Sequence, residues 1–411
     1  MIRFARRVAA AAALVAGIGG WVSAGQPAIT PGVKTDRGVY PEPALPNLPK
    51  GGGTYVDPTF GTTIMRLTDE SDGKECQNAY SYYPTFNKDC TRLFVCCDGQ
   101  AVLFQLDPQA FQRLSKERLF AQKPPNRAEP RWESAIWSGH DRDLLFCHQG
   151  LNLWSQNVAT KQYELVKDFA GQLPPGHLCQ MSKSLDDNTF AFSLQDPKWN
   201  VVGFLAWRRD KDQIVLRQGL PREGLDEVQV DKTGRYLVIK SMQQGKGVIQ
   251  VRVADLDSGK IEELTDDGPD FAPGHSDNGQ GTVIGADNWR NCLSFRKLSS
   301  PHEHYKVLDR HNDWSQDYHI SMLADNEDWV LLSFYVGNKL PSSGVFRNEI
   351  IQVATDGSQR VRRLAHHRTA FQSYWDSPRA DISRDGRYVA YTSNWGGSGR
   401  RDVFILRVPA F

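Results

Sequence analysis

The alternation of apolar and polar residues along the chain repeats a unit of short strands separated by polar turns. Each copy has a short apolar strand, a turn that often contains Asp or Gly, and a run of alternating β-forming residues. The clearest copies span residues 83–95, 227–239 and 379–391, and weaker copies begin near Glu133, His177, His275 and His319. Seven such copies, spaced by roughly 40–50 residues with one longer gap, are typical of the blades of a propeller.

The strand order within each copy predicts a four-stranded antiparallel blade. The last copy ends at residues 402–408 without an outer strand, whereas residues 63–68 form a separate strand of the outer kind before the first copy. Pairing of the two would close the ring and remove its exposed edges. We therefore predict an all-β fold, a seven-bladed β-propeller closed by an N-terminal strand that completes the last blade. Two β-sandwiches are the alternative, but they account for neither the seven copies nor the separate strand.

The first residues of the chain have the pattern of a secretory signal peptide. Arg3, Arg6 and Arg7 form a basic region, residues 8–16 are apolar, and Val-Ser-Ala at 22–24 matches a signal-peptidase site. The apolar stretch is broken by glycines and is shorter than the ~20 residues that span a bilayer. We predict a signal peptide over 1–24, an extended lead-in over 25–61 and the propeller over 62–411. The expected location is periplasmic or secreted, with no membrane span after cleavage.

Composition and charge narrow the range of partners. The 411 residues carry 49 Lys and Arg against 48 Asp and Glu, so the net charge of +1 does not draw nucleic acid or an anionic membrane. Among the seven cysteines, Cys76 and Cys90 are a plausible disulfide pair in an oxidising compartment. Two His and three Arg between residues 362 and 368 are predicted to form a solvated basic edge. The sequence lacks the motifs of a nucleophile elbow, a phosphate-binding loop or a zinc protease.

The residues around the start of each copy are candidates for a ligand site. In a propeller the innermost strand of each blade starts at the central channel, so these residues are expected to surround one opening. Most of them are polar or ionisable, and ligand sites favour such openings, although polar residues are also common where a strand meets water. The residues at these positions are Tyr82, Tyr83, Glu133, His177, Gln180, Glu227, Gln229, His275, His319, Arg379 and Asp381.

Two stretches in consecutive copies, Gly-His-Ser-Asp-Asn-Gly around His275 and Gln-Asp-Tyr-His-Ile-Ser around His319, are more specific. With the repeat pattern and the Arg-Leu-Thr element of the outer strand, they resemble the TolB-like propellers and, among these, the oligogalacturonate lyases. In that family a divalent metal, typically manganese, is held by one His and a Gln-x-x-His-x-His stretch of the next blade. The resemblance implies that His275, Gln316 and His319 bind a divalent metal such as manganese or calcium. Ser321 stands where the pattern has its last His.

The resemblance also implies cleavage of a uronic-acid chain by β-elimination. A base then removes the proton α to a carboxylate, and the glycosidic oxygen leaves. A metal held by imidazoles, or a bidentate hydrogen bond from Arg379, would stabilise the charge that develops on the carboxylate. Candidate bases are His177 and either Tyr82 or Tyr83, and the sequence does not choose among them.

The substrate contacts and the class of function stay open at the level of the sequence. Glu227 lies among the residues expected at the opening, and Trp314 and Trp375 precede inner strands, where they are candidates for stacking on a sugar. In the alternative the propeller is non-catalytic and binds a protein or a glycan, because propellers host both kinds of function. His275 and His319 would then form structural hydrogen bonds between blades. The expected partner is an acidic oligosaccharide or a protein ligand.

Overall fold

The computed structural model describes residues 32, 34–220, 223–243, 249–264, 274–287, 290–309, 315–337 and 344–410. Within these ranges the strands form seven antiparallel sheets, which are the blades of a β-propeller, as predicted. The signal peptide predicted over residues 1–24 lies outside the described residues, as does Trp314. In the described part of the chain, no helix is long and apolar enough to cross a membrane.

The strands follow one another through the blades in chain order, with the innermost strand first. Blade 1 comprises β3 (Cys76–Gln77), β4 (Arg92–Cys97), β5 (Gln100–Asp107) and β6 (Gln112–Arg118). Blade 2 comprises β7 (Ala135–Trp137), β8 (Leu144–Gln149), β9 (Asn152–Asn157) and β10 (Tyr163–Asp168). Blade 3 comprises β11 (His177–Lys183), β12 (Thr189–Gln195), β13 (Val201–Arg208) and β14 (Gln213–Gly219).

The remaining blades follow the same order. Blade 4 comprises β15 (Glu223–Val230), β16 (Tyr236–Gln243), β17 (Ile249–Asp255) and β18 (Ile261–Glu263). Blade 5 comprises β19 (Ser276–Asn278), β20 (Thr282–Asp287), β21 (Cys292–Lys297) and β22 (Ser300–Asp309). Blade 6 comprises β23 (Gln316–Ser321), β24 (Trp329–Val336), β25 (Glu349–Ala354) and β26 (Val361–His366). Blade 7 comprises β27 (Asp381–Ile382), β28 (Tyr388–Ser393) and β29 (Asp402–Arg407), and short 3-10 turns span Trp132–Ser134 and Tyr374–Asp376.

Blade 7 is completed by the N-terminal part of the chain. Strand β2 (Thr63–Arg66) pairs antiparallel with β29, and its Arg66 donates to Asp402 Oδ2 over 2.8 Å while both side chains are buried. Strand β1 (Thr54–Val56) adds a fifth strand outside β2, within the segment predicted as an extended lead-in. The ring is therefore closed by hydrogen bonds between the two ends of the propeller, which removes a free edge.

Apolar side chains fill the space between neighbouring blades, and polar side chains join the blades near the channel. Leu93 and Phe104 of blade 1, for example, share a buried cluster with Ile405 of blade 7. Nearer the axis, Ser182 Oγ accepts a hydrogen bond from the backbone of blade 4 (2.9 Å), and Asp277 Oδ2 accepts one from the backbone that follows β23 (2.6 Å). Several polar residues on the inner strands therefore satisfy buried backbone groups of the next blade.

The innermost strand of blade 1 differs from the prediction. The strand itself is Cys76–Gln77, and Phe86, which was expected to lie on it, makes only an isolated bridge to Leu93. Residues 78–85 leave the sheet between these two points and carry three tyrosines toward the centre of the ring. The disulfide joins Cys76 to Cys97, which face each other across β3 and β4, so the pairing with Cys90 was wrong.

Candidate functional site

A cavity of about 740 Å³ opens at the centre of the ring, at the end where the inner strands of blades 5 and 6 begin. We call this cavity the funnel. One side of its wall is aromatic, and the other side is polar and ionisable. The lining residues used below are Tyr80, Tyr82, Gln180, Asp226, Glu227, Lys240, His275, Gln316, Asp317, His319, Tyr335, Phe371 and Tyr374.

Two histidines from consecutive blades meet in the funnel. The rings of His275 and His319 stack with their centroids 4.6 Å apart and their planes at 27°. His275 Nδ1 lies 2.9 Å from the carbonyl oxygen of Tyr318 and 3.4 Å from Asp317 Oδ1. Although burial opposes the charged form, the hydrogen bond and charge of Asp317 raise the pKa of His275. Because Nδ1 donates to these acceptors, Nε2 is the nitrogen that remains for a ligand.

His319 is held in an aromatic cage. Its Nε2 lies 3.2 Å from the hydroxyl of Tyr374, its ring stacks on Tyr335 with centroids 5.3 Å apart, and Tyr80 meets it edge to face. Its Nδ1 is buried and has no hydrogen-bond partner among the described residues. Burial, followed by the charges of His275 and Arg379, lowers the pKa of His319 well below its usual value. The imidazole is therefore neutral at neutral pH, the form that binds metal ions.

The tyrosines form a hydrogen-bonded wall beside this cage. The hydroxyls of Tyr80 and Tyr374 are hydrogen-bonded to each other, and the rings of Tyr80 and Tyr82 lie 4.6 Å apart. Burial is the main cause that raises the pKa of Tyr80 and of Tyr82 well above the usual value for a phenol. These hydroxyls are therefore protonated at neutral pH and can donate hydrogen bonds to a ligand.

The opposite wall carries more carboxylates than cations. Glu227 forms an ion pair with Lys240, and Asp317 faces His275 across 3.4 Å. Asp226 stands beside them at the edge of the funnel. The ion pair with His275 holds the pKa of Asp317 below its usual range, although its burial acts in the opposite direction. Three acidic residues against Lys240 and, when it is protonated, His275 give no attraction for an anionic ligand unless a further cation is bound.

His275, Gln316 and His319 are the residues that the sequence suggests as ligands for such a cation. All three line the funnel, and the fixed Nδ1 of His275 and the partnerless Nδ1 of His319 fit the requirements of a metal ligand pair. The amide nitrogen of Gln316 donates to Val345 O over 3.0 Å. Ser321, in place of a third imidazole, accepts a hydrogen bond from the backbone nitrogen of Ile382 at 3.4 Å. The donor set fits an open site of two imidazoles and one amide oxygen.

That site has few anionic ligands. Among the described residues, no group of three or more His, Cys, Asp and Glu side chains is arranged to hold a metal ion. A cation bound by two neutral imidazoles and an amide would keep its full positive charge and several open coordination positions. Such a cation is well suited to bind the carboxylate of a ligand.

Two of the residues suggested for proton transfer, His177 and Tyr83, lie outside the funnel. The ring of His177 is stacked face to face on Trp199, with centroids 3.9 Å apart. Tyr83 packs against the apolar cluster of blades 2 and 3, which contains Ile136, and it lines a smaller cavity below the funnel. Tyr82, the alternative to Tyr83, does line the funnel.

Arg379 and Trp375 form a pair at the side of the funnel in blade 7. The guanidinium of Arg379 is fully buried and donates to Trp375 O and Gln77 Oε1, each over 3.0 Å. It also lies 5.1 Å from the centroid of the Trp375 ring, which is 48% exposed. Arg379 therefore supports Trp375 from beneath. Burial lowers the pKa of Arg379 to about 10. Trp375 is accessible to a ligand. Arg379 is buried, so only the electrostatic effect of its charge extends to a ligand.

Sequence reasoning missed four aromatic residues of the funnel, which are Tyr80, Tyr335, Phe371 and Tyr374. Tyr374 lies on the 3-10 turn that precedes blade 7, where Ser373 and Asp376 form a capping box. Tyr335 and Phe371 stack on each other with centroids 5.2 Å apart and close the cage of His319. The Tyr-Trp pair before the last inner strand could have indicated Tyr374. Only Trp375 of this pair was proposed as a site residue from the sequence.

The channel is closed on the side away from the funnel. Arg384 of blade 7 donates to the carbonyl oxygen of Gly139 in blade 2 and pairs with Asp325 at 2.9 Å. Lys232 of blade 4 donates to Ala324 O (2.6 Å) and pairs with Glu327 (2.7 Å). These long side chains cross the narrow end of the ring, so the funnel mouth is the route by which a ligand enters.

The fold and this funnel define the chain as a seven-bladed β-propeller with a central cavity. No protein-family model and no curated protein sequence matches the chain. Among solved structures, it is similar to an oligogalacturonate lyase in complex with manganese, with a TM-score of 0.63 and 13% identity over 88% of this chain and 97% of the other.

Two further structures are similar to this chain. The oligogalacturonate lyase of Vibrio parahaemolyticus gives a TM-score of 0.62 and 13% identity over 88% of this chain and 98% of that one. The WD40 repeats of RRP9 give a TM-score of 0.50 and 12% identity over 84% and 97%. The resemblance stated from the sequence is thus confirmed in the fold. At identities of 12–13% the similarity establishes the fold alone. The function therefore has to be argued from the residues of the funnel.

Proposed function

We propose that the protein is an exported, polysaccharide lyase-like propeller that cleaves an acidic, uronic-acid-containing oligosaccharide by metal-assisted β-elimination. The observation that carries the proposal is the stacked pair of His275 and His319 in a tyrosine-walled funnel. The likeness in fold to a manganese-bound oligogalacturonate lyase supports it. Export, as the N-terminal sequence predicts, would bring the funnel into contact with sugar chains outside the cytoplasm.

The residues of the chain would bind the cation and position the substrate for elimination. His275, Gln316 and His319 would hold a divalent cation, which when bound supplies Lewis-acid stabilisation of the negative charge on the substrate carboxylate. The protonated hydroxyls of Tyr80 and Tyr82 donate hydrogen bonds to sugar oxygens and fix the ring in the funnel. The aromatic side chains would shield a bound sugar from water, which would strengthen the electrostatic interactions inside.

The charge of the funnel explains why a cation and an acidic sugar would bind together. Asp226, Glu227 and Asp317 outnumber Lys240 and His275, and His275 has to be neutral to bind a metal, so a uronate alone meets a lining with excess negative charge. A divalent cation offsets that excess of negative charge. The proposal therefore requires that the affinity for the acidic sugar depends on the metal.

A second candidate function is a non-catalytic propeller that binds a glycan or a protein. Two observations favour it. Ser321 replaces a third imidazole and is hydrogen-bonded to the backbone of Ile382. His177 and Tyr83, two of the predicted bases, do not reach the funnel. In this case the funnel would bind its ligand without releasing a product.

Calorimetric titration of the full chain with oligogalacturonate, with Mn²⁺ or with a chelator, tests the proposal. We expect the dissociation constant to be at least about tenfold lower with Mn²⁺, because the ion pair to the carboxylate is lost in the chelator. A neutral oligosaccharide of the same length is the control and should show no dependence on Mn²⁺. Equal affinity for the acidic oligomer in both buffers, or no binding in either, would contradict the proposed function.

A further inference from the structure

An exposed tryptophan stands on blade 3, at the same end of the ring as the funnel. Trp199 is 56% exposed, and its backbone has a φ of +68°, in the left-handed region that favours glycine. A bulky residue in that conformation is strained, and such strain persists where the surrounding structure holds it in place. The loop therefore presents a large aromatic ring to solvent in spite of the strained backbone and the exposure of apolar surface.

The loop is built to hold this ring. Asp196 Oδ1 accepts hydrogen bonds from the backbone nitrogens of Lys198 (2.8 Å) and Asn200 (2.9 Å), and Asn200 Nδ2 donates to Asp196 Oδ2 (2.9 Å). The backbone nitrogen of Trp199 donates to Asp196 O over 2.9 Å. One aspartate thus fixes the turn from both sides, which restricts the orientation of the indole.

A second ring supports the tryptophan from below. The rings of His177 and Trp199 are parallel within 4°, with centroids 3.9 Å apart. One face of the indole is covered by the imidazole, so the other face is the one that can meet solvent or a ligand. This arrangement also accounts for His177, which the sequence suggested as a base and which lies outside the funnel.

The stacked pair of His177 and Trp199 lies close to the funnel along strand β11. His177 is the first residue of β11, and Gln180, three residues further along the same strand, lines the funnel. Because Gln180 has a positive φ and lies at a bulge of this strand, the two residues are at most roughly 10 Å apart. A short oligosaccharide with one ring in the funnel would therefore reach the indole with a ring further along its chain.

We propose that Trp199, supported by His177, is a stacking platform for a pyranose ring of an oligosaccharide that extends out of the funnel. The inference rests on the proposed function. It adds that the substrate is long enough to reach from the funnel to Trp199. The negative face of the indole attracts the C–H groups on the face of a sugar ring. The polar side chains of Lys198 and Asn200 stand beside the platform, where hydroxyl groups of the sugar would lie.

The surroundings favour a sugar over a protein partner. The exposed apolar residues here are Trp199 and the adjacent Val201 and Val202, which are 38% and 43% exposed. A stable protein interface takes about 20–30 residues from each partner and has a well-packed apolar centre. A single flat ring with polar neighbours matches a sugar ring in size and chemistry.

The test compares Trp199→Ala with the wild type in titrations with galacturonic acid oligomers, a dimer and a hexamer, in the presence of Mn²⁺. We expect the substitution to weaken binding of the hexamer by about tenfold, which corresponds to the upper part of the range for an aromatic contact, and to leave the dimer unchanged. His177→Ala should weaken the hexamer by a smaller factor, because the indole loses its support. Leu165→Ala, at an exposed apolar residue of the outer strand β10, is the matched control and should change neither value.

The other outcomes overturn either the platform alone or the platform together with the proposed function. If the wild type binds both oligomers and Trp199→Ala changes neither, the platform is wrong and the proposed function stands. An equal loss for the dimer and the hexamer would also overturn the platform, because the effect would then come from the funnel. If the wild type binds neither oligomer, the proposed function fails, and the platform fails with it.

Discussion

Replacing His319 with Ala is expected to remove bound Mn²⁺ and to lower turnover of a uronic-acid oligomer by more than about 100-fold. His319 is the neutral imidazole of the pair, and its Nδ1 has no other partner among the described residues. Without it, one imidazole and one amide remain, which is too few ligands to hold the ion in place. Elemental analysis of the purified variant and a steady-state assay with added Mn²⁺ measure the two effects.

The control for His319→Ala is His140→Ala, at an exposed turn residue that should change neither the metal content nor turnover. Because the His319 side chain is buried, circular dichroism and thermal unfolding should be recorded for both variants. A folded His319→Ala protein that retains stoichiometric Mn²⁺ would show that the metal lies elsewhere. Retained turnover would show that the imidazole has a structural role.

Replacing Arg363 with Ala is expected to lower the free energy of unfolding by about 3–5 kcal/mol, because it leaves a buried carboxylate without its partner. Arg363 is fully buried in blade 6, where it donates two hydrogen bonds to Glu349 and one to Gly38 O. Burial raises the pKa of Glu349 to about 7, against the opposing effect of Arg363. Urea unfolding of the variant, followed by fluorescence, measures the loss.

The matched control for this ion pair lies three residues away. Arg360 is 63% exposed and pairs with Asp356 at 2.9 Å, so Arg360→Ala should cost less than about 1 kcal/mol. Equal losses for the two variants would contradict the account, since burial is the property that distinguishes the pairs. A small loss for Arg363→Ala would mean that Glu349 is neutral in the folded protein.

The Arg363 region also shows where prediction from the sequence failed. Residues 362–368 contain two His and three Arg and were predicted as a solvated edge. The structure buries most of them under the lead-in, where His366 Nε2 lies 3.2 Å from Tyr40 O and Arg368 donates to Pro43 O over 3.0 Å. Charge along the chain carries no information about a covering segment more than 300 residues away, so local reasoning could not find this contact.

The propeller and its ring closure could be predicted because they depend on a repeated local pattern. Seven copies of one strand unit identify the blades, and a missing outer strand identifies its replacement at residues 63–68. His275 and His319 line one cavity, as their repeat positions predict, and Gln316, which the family resemblance suggested, lines the same cavity. Tyr80 and Tyr374 were missed, since both lie on segments that depart from the strand pattern. Trp199 was missed for the same reason.

The mass and the ultraviolet absorbance of products from oligogalacturonate, incubated with the Mn²⁺-loaded protein, test the central claim most directly. Elimination creates a double bond conjugated to the carboxylate, so the account predicts a rise in absorbance and two fragments whose masses sum to that of the substrate. Fragments that are together one water molecule heavier, with no rise in absorbance, would show hydrolysis instead. An unchanged substrate that nevertheless binds would contradict the lyase and favour the non-catalytic propeller.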